Sequence, residues 1–381
     1  MLPLTGIRVA EFCQVLAGPF CGALLADMGA DVIKIESPDG DLMRAWPPMV
    51  EGDSQYFASV NRNKRSVVLD LKDARGLAAA RELALSCDVV VENFRPGVMA
   101  RFGLDHAALS KEKPALVYCS VSAFGQSGPR AKEGGFDMTI QAMSGVMSVT
   151  GEPGGRPAKC GVPIADFTAA LYAAYSIAAA LCQVRGGGAG AHIDVSMLGG
   201  MLGSAHLQTS ELFGTGRDPV ALGSAHPMNA PYAAFRCRDG YFALAAGTNK
   251  LWGETCAGIE SPDLAHDERF ATPSLRAKNQ DALRELLEVE LVKRDAADLL
   301  AIFRSRGVPC APINTYSQVL LDPQVEHMGW VEPMTLPGGA DTKVVISPQR
   351  VNGERLGVRR NPPALGEHTE EVLAELKRAG A

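Results

Sequence analysis

The chain has 381 residues, of which 46% are hydrophobic and 21% charged, and its formal net charge is −6. This length predicts two domains, because one hydrophobic core rarely serves so many residues, and the composition excludes a largely disordered chain. The acidic balance argues against a nucleic-acid partner.

The N-terminal half alternates between strand-like and helix-like segments. Residues 7–12 and 31–36 read as strands, and Gly18-Pro19 opens a helix between them that runs to residue 26. Such a βαβ unit implies parallel strands. Four more strands are predicted at 66–71, 88–91, 115–121 and 192–196, with a helix at 74–86. The alternation predicts a doubly wound, Rossmann-like α/β domain with a parallel sheet.

The turn after the first strand raises a dinucleotide alternative. Glu36 ends the second strand, where an acid binds the ribose hydroxyls in Rossmann sites. However, the turn from Leu16 to Gly22 reads LAGPFCG and lacks the G-x-G-x-x-G spacing that lets the backbone approach a pyrophosphate. An NAD-dependent oxidoreductase therefore stays only a remote alternative.

Residues 167–184, FTAALYAAYSIAAALCQV, form an alanine-rich helix pattern that is apolar on every side. We expect a buried core helix of a protein without a membrane partner, because alanine is barely hydrophobic and Ser, Thr and Tyr interrupt the run. Asp166 stands directly before it and is predicted to cap the helix and to stay ionised there. As a cap, its replacement by Ala costs about 1 kcal/mol. A capped carboxylate can also be a nucleophile, so both roles stay open.

The remaining pattern sets the domain boundaries. Residues 214–231 form a polar link with Gly and Pro, and two strands and several helices follow it. We predict that residues 1–213 form the N-terminal part of a large domain, that 214–315 form the linker and a smaller α/β domain, and that 316–381 return to the large domain.

Basic and aromatic residues stand at the ends of the predicted strands. The segment 61–65 reads NRNKR, and Lys72, Arg95 and Arg101 recur nearby, so a ligand with several phosphates or a solvated charged face explains them equally well. Asn93 and Phe94 follow a strand, where they can hold a planar base or form an ordinary turn.

The cysteines and histidines give no sign of a metal site. The nine cysteines are scattered without C-x-x-C spacing, and no H-E-x-x-H or G-x-S-x-G motif occurs. Reduced thiols and an N-terminus without a signal-peptide pattern predict a cytoplasmic protein. His226 reads as a loop residue more readily than as a base.

Several stretches together resemble the class III CoA-transferases, the CaiB/BaiF family, over essentially the whole chain. The stretches are Gly18-Pro-Phe20, DVIKIE at 31–36, NRNKRSVVLDLK at 61–72, ENFRPG at 92–97, GSAHP at 223–227 and LGEHT at 365–369. The resemblance implies that Asp166 is the catalytic nucleophile, and that two chains form an interlocked homodimer. The implied CoA contacts are Val15, Leu16, Ala17, Lys72, Asn93, Phe94 and Arg101.

The resemblance also implies the reaction. CoA passes reversibly from an acyl-CoA to a free carboxylic acid through an aspartyl anhydride and thioester, without a metal or a redox cofactor. Succinyl-CoA with a C4 to C5 dicarboxylate is the expected pair. Asp137 and His226 are possible site-organising residues. Racemases of this superfamily carry a His-Asp pair where this chain reads Gly135-Phe-Asp137, which argues against that alternative. GSAHP stands where formyl-CoA transferases have a glycine-rich loop, which argues against formate and oxalate. Intramolecular CoA transfer and a non-catalytic acyl-CoA-binding protein stay open.

Overall fold

The computed structural model describes residues 1–379 and divides into two compact units. The first unit comprises residues 1–146 and 159–217 together with the C-terminal part from 323 onward, and the second comprises 147–158 and 218–322. The C-terminal segment thus belongs to the unit that the N-terminus begins. Residues 147–158 also belong to the second unit, and no pattern in the sequence predicts this.

A six-stranded parallel sheet organises the first unit. Its strands are β1 (Arg8–Phe12), β2 (Asp31–Glu36), β3 (Lys64–Val68), β4 (Val89–Glu92), β5 (Val117–Ser122) and β6 (Ala191–Ser196). Their order across the sheet is β3-β2-β1-β4-β5-β6. The order reverses between β1 and β4, and the carboxyl ends of strands at such a switch point form a crevice that commonly binds ligands.

Alternate strand residues serve two cores, one on each face of the sheet. Val9, Val32 and Val89 belong to one core, and Ala10 and Val90 to the other. This follows from the two-residue period of a strand. The predicted α/β fold with a parallel sheet is confirmed.

Helices of the first unit cover both faces. They are α1 (Ala17–Asp27), α2 (Gln55–Asn61), α3 (Ala74–Ser86), α4 (Val98–Arg101), α5 (His106–Leu109), α6 (Asp137–Met143), α7 (Ile164–Arg185), α8 (Met197–Ser204) and α9 (His206–Thr215). Helices α1, α7 and α8 contribute to the core that contains Val9, and α3 to the core that contains Ala10. The sequence missed α2, which lies beside the Pro- and Gly-rich stretch at 38–53.

Helix α7 differs from its prediction in two ways. It begins at Ile164, three residues before the expected start. It is also buried on one face only: Ala169 and Ala173 are buried, whereas Leu171 is 52% and Tyr175 is 73% exposed. The alanine face packs close to α1 and the sheet because alanine is small, and the larger side chains point away from them. By length and composition alone α7 is the one helix, within residues 1–379, that could cross a membrane.

The C-terminal segment adds two hairpins and two helices to the first unit. Its elements are a helix at Pro323–Met328, strands at Val331–Thr335, Asp341–Val345, Ser347–Val351 and Glu354–Leu356, and a last helix at Thr369–Ala379. The segment is fastened by charge, since Arg65 on β3 pairs with Glu371 and Glu375 on the last helix. The His368 N–H donates to the Ser66 carbonyl at 2.9 Å.

The second unit is built on a three-stranded antiparallel sheet. Its strands are Tyr232–Cys237, Gly240–Ala245 and Cys310–Pro312, and its helices are Asn249–Gly258, Pro273–Lys278, Gln280–Leu291, Ala296–Ser305 and Tyr316–Val319. The core between sheet and helices contains Phe242, Trp252 and Phe303. Cys237 pairs with Gly240, so Arg238 and Asp239 form a two-residue turn between the first two strands.

Candidate active site

A cavity of about 590 Å³ opens where the loop after β1 faces the start of α7. Helices α2 and α6 and the segment around Met43 complete its walls. It is lined by Val15, Leu16, Met43, Trp46, Tyr56, Ser59, Val60, Phe136, Asp137, Met138, Pro163, Asp166 and Phe167. The lining is largely apolar and contains two carboxylates.

Asp166 is the third residue of α7 and not its cap. The capping position holds Pro163, whose side chain can accept no hydrogen bond. Asp137, the first residue of α6, replaces it: one carboxylate oxygen of Asp137 accepts the Ala165 N–H at 3.0 Å. The prediction that Asp166 caps the helix is therefore wrong, because the helix begins earlier and another acid takes its free N–H group.

Asp137 is itself held in place. Its Oδ2 accepts from the Gln141 amide at 2.8 Å, and Oε1 of the fully buried Gln141 accepts from the Cys160 N–H at 2.8 Å. The chain from Asp137 through Gln141 fixes the segment that leads into α7. Asp137 therefore contacts the backbone at the start of α7, and its site-organising role stays a prediction.

Burial, together with repulsion from Asp137, raises the pKa of Asp166 to about 7. The half-buried side chain lies in apolar surroundings, where the charged form loses solvation. The expectation that the helix end keeps Asp166 fully ionised must therefore be corrected, since about half of the groups are protonated near neutral pH. A carboxylate with this pKa is poorly solvated and reactive once ionised, which fits a nucleophile.

The loop after β1 brings two of the predicted CoA contacts to the same cavity. Val15 and Leu16 line it, while Ala17 begins α1 and is buried in the core. Val15 has a φ of 66°, the left-handed region that β-branched residues avoid. Strain of this kind persists only where the surroundings impose it, and it concentrates at functional sites.

Asn93 fastens this loop to the end of β4. Its side-chain oxygen accepts the Gln14 N–H at 2.9 Å, and its side-chain nitrogen donates to the Gln14 carbonyl at 2.8 Å. Asn93 therefore contacts the backbone beside Val15, and the structure gives it a positioning role in addition to any contact with a base.

The other predicted CoA contacts lie outside the cavity. Phe94 packs against the core that contains Ala10, and its N–H donates to Glu92. Lys72 and Arg101 are exposed and follow β3 and β4. Both positions leave the charges accessible to an anionic ligand, but the fold does not bring them next to Asp166.

The basic segment at 61–65 serves the interior. Arg62 pairs with Asp27, Lys64 with Glu11, and Arg65 with Asp31. All three cations are at most 5% exposed at their side chains. The segment is neither a phosphate site nor a solvated charged face, the two interpretations left open by the sequence, because its three cations are buried and paired with acids.

His226 belongs to the second unit. Its Nδ1 accepts from the Met228 N–H at 3.0 Å, which leaves the proton on Nε2, and its ring lies 5.3 Å from that of Tyr232. Its site-organising role stays a prediction.

Reading the sequence missed most of the cavity wall. Met43 and Trp46 come from the Gly- and Pro-rich residues 38–53, for which the sequence patterns predicted no element, and Tyr56 and Ser59 come from helix α2, which was not predicted either. Trp46 is 40% and Tyr56 is 53% exposed. Aromatic residues within a Gly- and Pro-rich stretch were the signal that could have identified this wall. Among residues 1–379, no group of three or more His, Cys, Asp or Glu side chains could hold a metal ion.

Comparison with known proteins gives a consistent result. The sequence model described as CoA-transferase family III matches residues 4–369. The chain is 40% identical to the succinate–glutarate CoA-transferase of Agrobacterium fabrum, with 98% of this chain and 96% of that protein covered. It is 41% identical to the acetyl-CoA:oxalate CoA-transferase of Acetobacter aceti, with 84% and 83% covered. A crystal structure of a CaiB/BaiF family protein from Brucella suis superposes with a TM-score of 0.87 at 40% identity, with 98% and 99% covered.

Proposed function

The chain belongs to CoA-transferase family III and is a CoA-transferase, and we propose that it moves CoA reversibly from succinyl-CoA or a similar acyl-CoA to a free C4 to C5 dicarboxylate such as glutarate. The observation that carries this proposal is Asp166, an acid with a raised pKa in an apolar cavity beside the strained turn at Val15. The NAD alternative has no remaining support in the site, because Glu36 pairs with Arg44 and accepts from Ser66.

The proposed mechanism is covalent. Ionised Asp166 attacks the thioester carbonyl, the C–S bond breaks, and an acyl-aspartyl anhydride and CoA thiolate form. The thiolate attacks the aspartyl carbonyl, which releases the donor acid and leaves an aspartyl-CoA thioester. The acceptor carboxylate then attacks this thioester and expels the thiolate. The thiolate finally attacks the acceptor's acyl carbonyl, which gives the new acyl-CoA and frees Asp166.

The cavity suits these steps because it excludes water from the intermediates. Met43, Phe136 and Phe167 supply apolar wall, and an anhydride in apolar surroundings hydrolyses slowly. The positive end of the α7 dipole lies beside the same region, where it favours a developing oxyanion. Asp137 keeps the segment before α7 in place and raises the pKa of the nucleophile.

The lining also bears on the acceptor. Apolar side chains fit the methylene groups of a C4 to C5 dicarboxylate, and Tyr56 and Trp46 offer neutral hydrogen-bond donors for its far carboxylate. Oxalate has no methylene group to fill this space. The acetyl-CoA:oxalate relative makes oxalate the necessary competitor in any test.

We also propose that the active protein is a cytoplasmic homodimer whose chains interlock. Exposed apolar side chains on α7 to α9 support a partner surface: Tyr175 is 73%, Leu207 is 75% and Phe213 is 82% exposed. The free thiols of all nine cysteines, each within residues 1–379, fit a reducing compartment. Light scattering of the purified chain at micromolar concentration tests the dimer, and a monomer would contradict it.

The function is tested with succinyl-CoA as donor and a panel of free acids. We expect glutaryl-CoA to form from glutarate with a higher kcat/KM than oxalyl-CoA from oxalate. Transfer to an added acid also separates this activity from intramolecular transfer and from simple binding. Asp166→Asn should lower transfer by about 1,000-fold or more, since the nucleophile is removed. Faster transfer to oxalate than to glutarate would contradict the proposed acceptor.

A further inference from the structure

Four charged side chains lie wholly inside the protein beneath the loop after β1. We call Glu11, Lys34, Asp41 and Lys64 the buried charge cluster. Lys34 Nζ lies 2.8 Å from an Asp41 oxygen and 3.3 Å from a Glu11 oxygen, and Lys64 Nζ lies 2.8 Å from the other Glu11 oxygen. Asp41 is 2% exposed and the other three are 0% exposed. Two acids and two lysines cancel in charge, as a cluster so far from water must.

Helix α1 leaves space for the buried charge cluster. A Cβ atom at Gly22 would lie 1.8 Å from a Glu11 oxygen, so only glycine fits there. Lys64 completes its contacts with the Asn61 side-chain oxygen at 2.9 Å. Burial on its own lowers the pKa of Lys34, but the attraction of Asp41 and Glu11 outweighs it and raises that pKa, so the ammonium stays charged.

Three members of the cluster hold backbone groups around the active-site loop. Lys34 donates to the Cys13 carbonyl at 2.7 Å, and Lys64 donates to the Pro19 carbonyl at 2.7 Å. Asp41 Oδ1 accepts the Val15 N–H at 3.1 Å and the Met43 N–H at 2.9 Å. Asp41 therefore binds the backbone of two cavity-lining residues, Val15 in the loop after β1 and Met43.

The Val15 contact matters most because the backbone is strained there. A non-glycine residue in the left-handed region costs on the order of 1–3 kcal/mol and must be held by its surroundings. The Val15 N–H points to Asp41 only while φ stays near its value of 66°. Without this acceptor, Val15 can relax towards an extended conformation and carry Leu16 with it.

We propose that Asp41, fixed by Lys34, is a positioning residue that shapes the loop at Val15 and Leu16 to receive the acyl-CoA thioester. The inference rests on the proposed place of the thioester in the cavity beside Asp166. A dinucleotide-binding fold achieves close approach at this switch point with glycines. In this protein Asp41 and Lys34, in place of glycines, hold the backbone in the conformation that permits close approach.

The test is Asp41→Asn, which keeps the size of the side chain. Lys34 can pair only with the amide oxygen, so the NH2 group takes the place of Oδ1 and the Val15 N–H loses its acceptor. We expect the KM for succinyl-CoA, measured with glutarate as acceptor, to rise about 10-fold, a change of about 1.4 kcal/mol, while kcat changes much less. The KM for glutarate should stay within about twofold.

Asp27→Asn is the matched control. Asp27 is 0% exposed and pairs with Arg62, Asn63 and Ser347, but it does not line the cavity. It should lower thermal stability as Asp41→Asn does and leave the KM for succinyl-CoA unchanged. An equal KM in Asp41→Asn and wild type, or an equal rise in both variants, would overturn the proposal.

Rescue separates positioning from general damage. Glycine adopts the left-handed region without cost, so Val15→Gly in the Asp41→Asn protein should lower the raised KM for succinyl-CoA again. No recovery would count against the strained turn as the cause. If Asp41→Asn alone does not fold, the Asp41→Leu/Lys34→Met protein carries the same test, because Leu offers the Val15 N–H no acceptor and replacing both partners of a buried pair by apolar residues is far less damaging than removing one. A wild-type protein without transfer from succinyl-CoA would instead reject the proposed donor, and the same variants are then measured with the donor that it uses.

Discussion

Two groups of charges near the cavity differ in how they are compensated. In the buried charge cluster every acid faces a lysine within 3.3 Å. At the start of α7 the two acids Asp137 and Asp166 face each other, and the pKa of Asp166 is raised to about 7. Both groups contain acids that are partly or wholly buried. Lysines neutralise the acids of the cluster, whereas Asp137 repels the negative charge of Asp166.

The difference separates structure from chemistry. A compensated charge beneath a site holds backbone groups, as Asp41 holds the Val15 N–H. An uncompensated charge is costly, and the cost favours any reaction that removes it, such as the acylation that we propose for Asp166. Asp137 and Asp166 line the cavity, whereas no residue of the buried charge cluster does, so each group can be altered by mutation without the other.

The largest expected effect on stability comes from breaking the compensated group. Glu11→Gln leaves Lys34 and Lys64 with Asp41 as their remaining acid in the cluster, and we expect the free energy of unfolding to fall by about 3–5 kcal/mol. Urea denaturation measures it. Asp295→Asn, which removes the exposed partner of Arg238, is the control and should change stability little. Equal midpoints for Glu11→Gln and wild type would show that the cluster is not tightly coupled.

Removing the uncompensated charge of Asp166 should raise the free energy of unfolding at neutral and alkaline pH. The folded-state pKa of Asp166 lies above its usual value of 3.8, so folding favours the protonated form. This contribution to stability is complete below about pH 4 and is lost as the pH rises through 7. Asp166→Asn should therefore match the wild type near pH 4 and be more stable at pH 8, by on the order of 2 kcal/mol. This reverses the loss expected of a helix cap, and lower stability of Asp166→Asn at pH 8 would restore that interpretation.

A smaller effect should follow from relieving the repulsion alone. Asp137→Asn keeps an oxygen that can accept the Ala165 N–H but removes the neighbouring charge. The acid limb of kcat/KM against pH, which reports ionisation of Asp166 near pH 7, should move to lower pH by less than about one unit. The limb should not move in Asp39→Asn, which alters an exposed carboxylate. An unchanged limb in Asp137→Asn would mean that burial alone sets this pKa.

The smallest expected effect concerns the far wall of the cavity. Tyr56→Phe removes one neutral donor, so the KM for glutarate should rise about 3- to 10-fold, the value of one hydrogen bond. The KM for butyrate, which lacks the second carboxylate, serves as the internal control and should stay constant. A parallel rise for both acids would assign Tyr56 to packing.

The sequence allowed the sheet to be predicted because its strands carry strong local patterns. All six strands were expected within a few residues, and Asp166, Val15 and Leu16 meet at one cavity as the family resemblance implied. The start of α7 was misplaced because Ile164 and Ala165 precede Asp166, a residue type that favours caps.

Contacts between distant segments were beyond the reach of sequence patterns. Asp41 lies in a Gly- and Pro-rich stretch, and nothing local indicates that it meets Lys34 and Val15. The basic segment at 61–65 looks like a ligand site until the fold brings Asp27 and Glu11 to it. The sequence gives the positions of the charged residues, but it does not show which of their side chains are exposed and which are buried in ion pairs.

The central claim is that the uncompensated acid is the nucleophile. The direct measurement is intact-protein and peptide mass spectrometry of wild type, Asp166→Asn and Asp137→Asn after acid quenching of a reaction with succinyl-CoA alone. We predict a covalent succinyl or CoA adduct on the peptide that contains Asp166, present in wild type and absent from Asp166→Asn. An adduct on another residue, an adduct that persists in Asp166→Asn, or rapid transfer by Asp166→Asn would contradict the account.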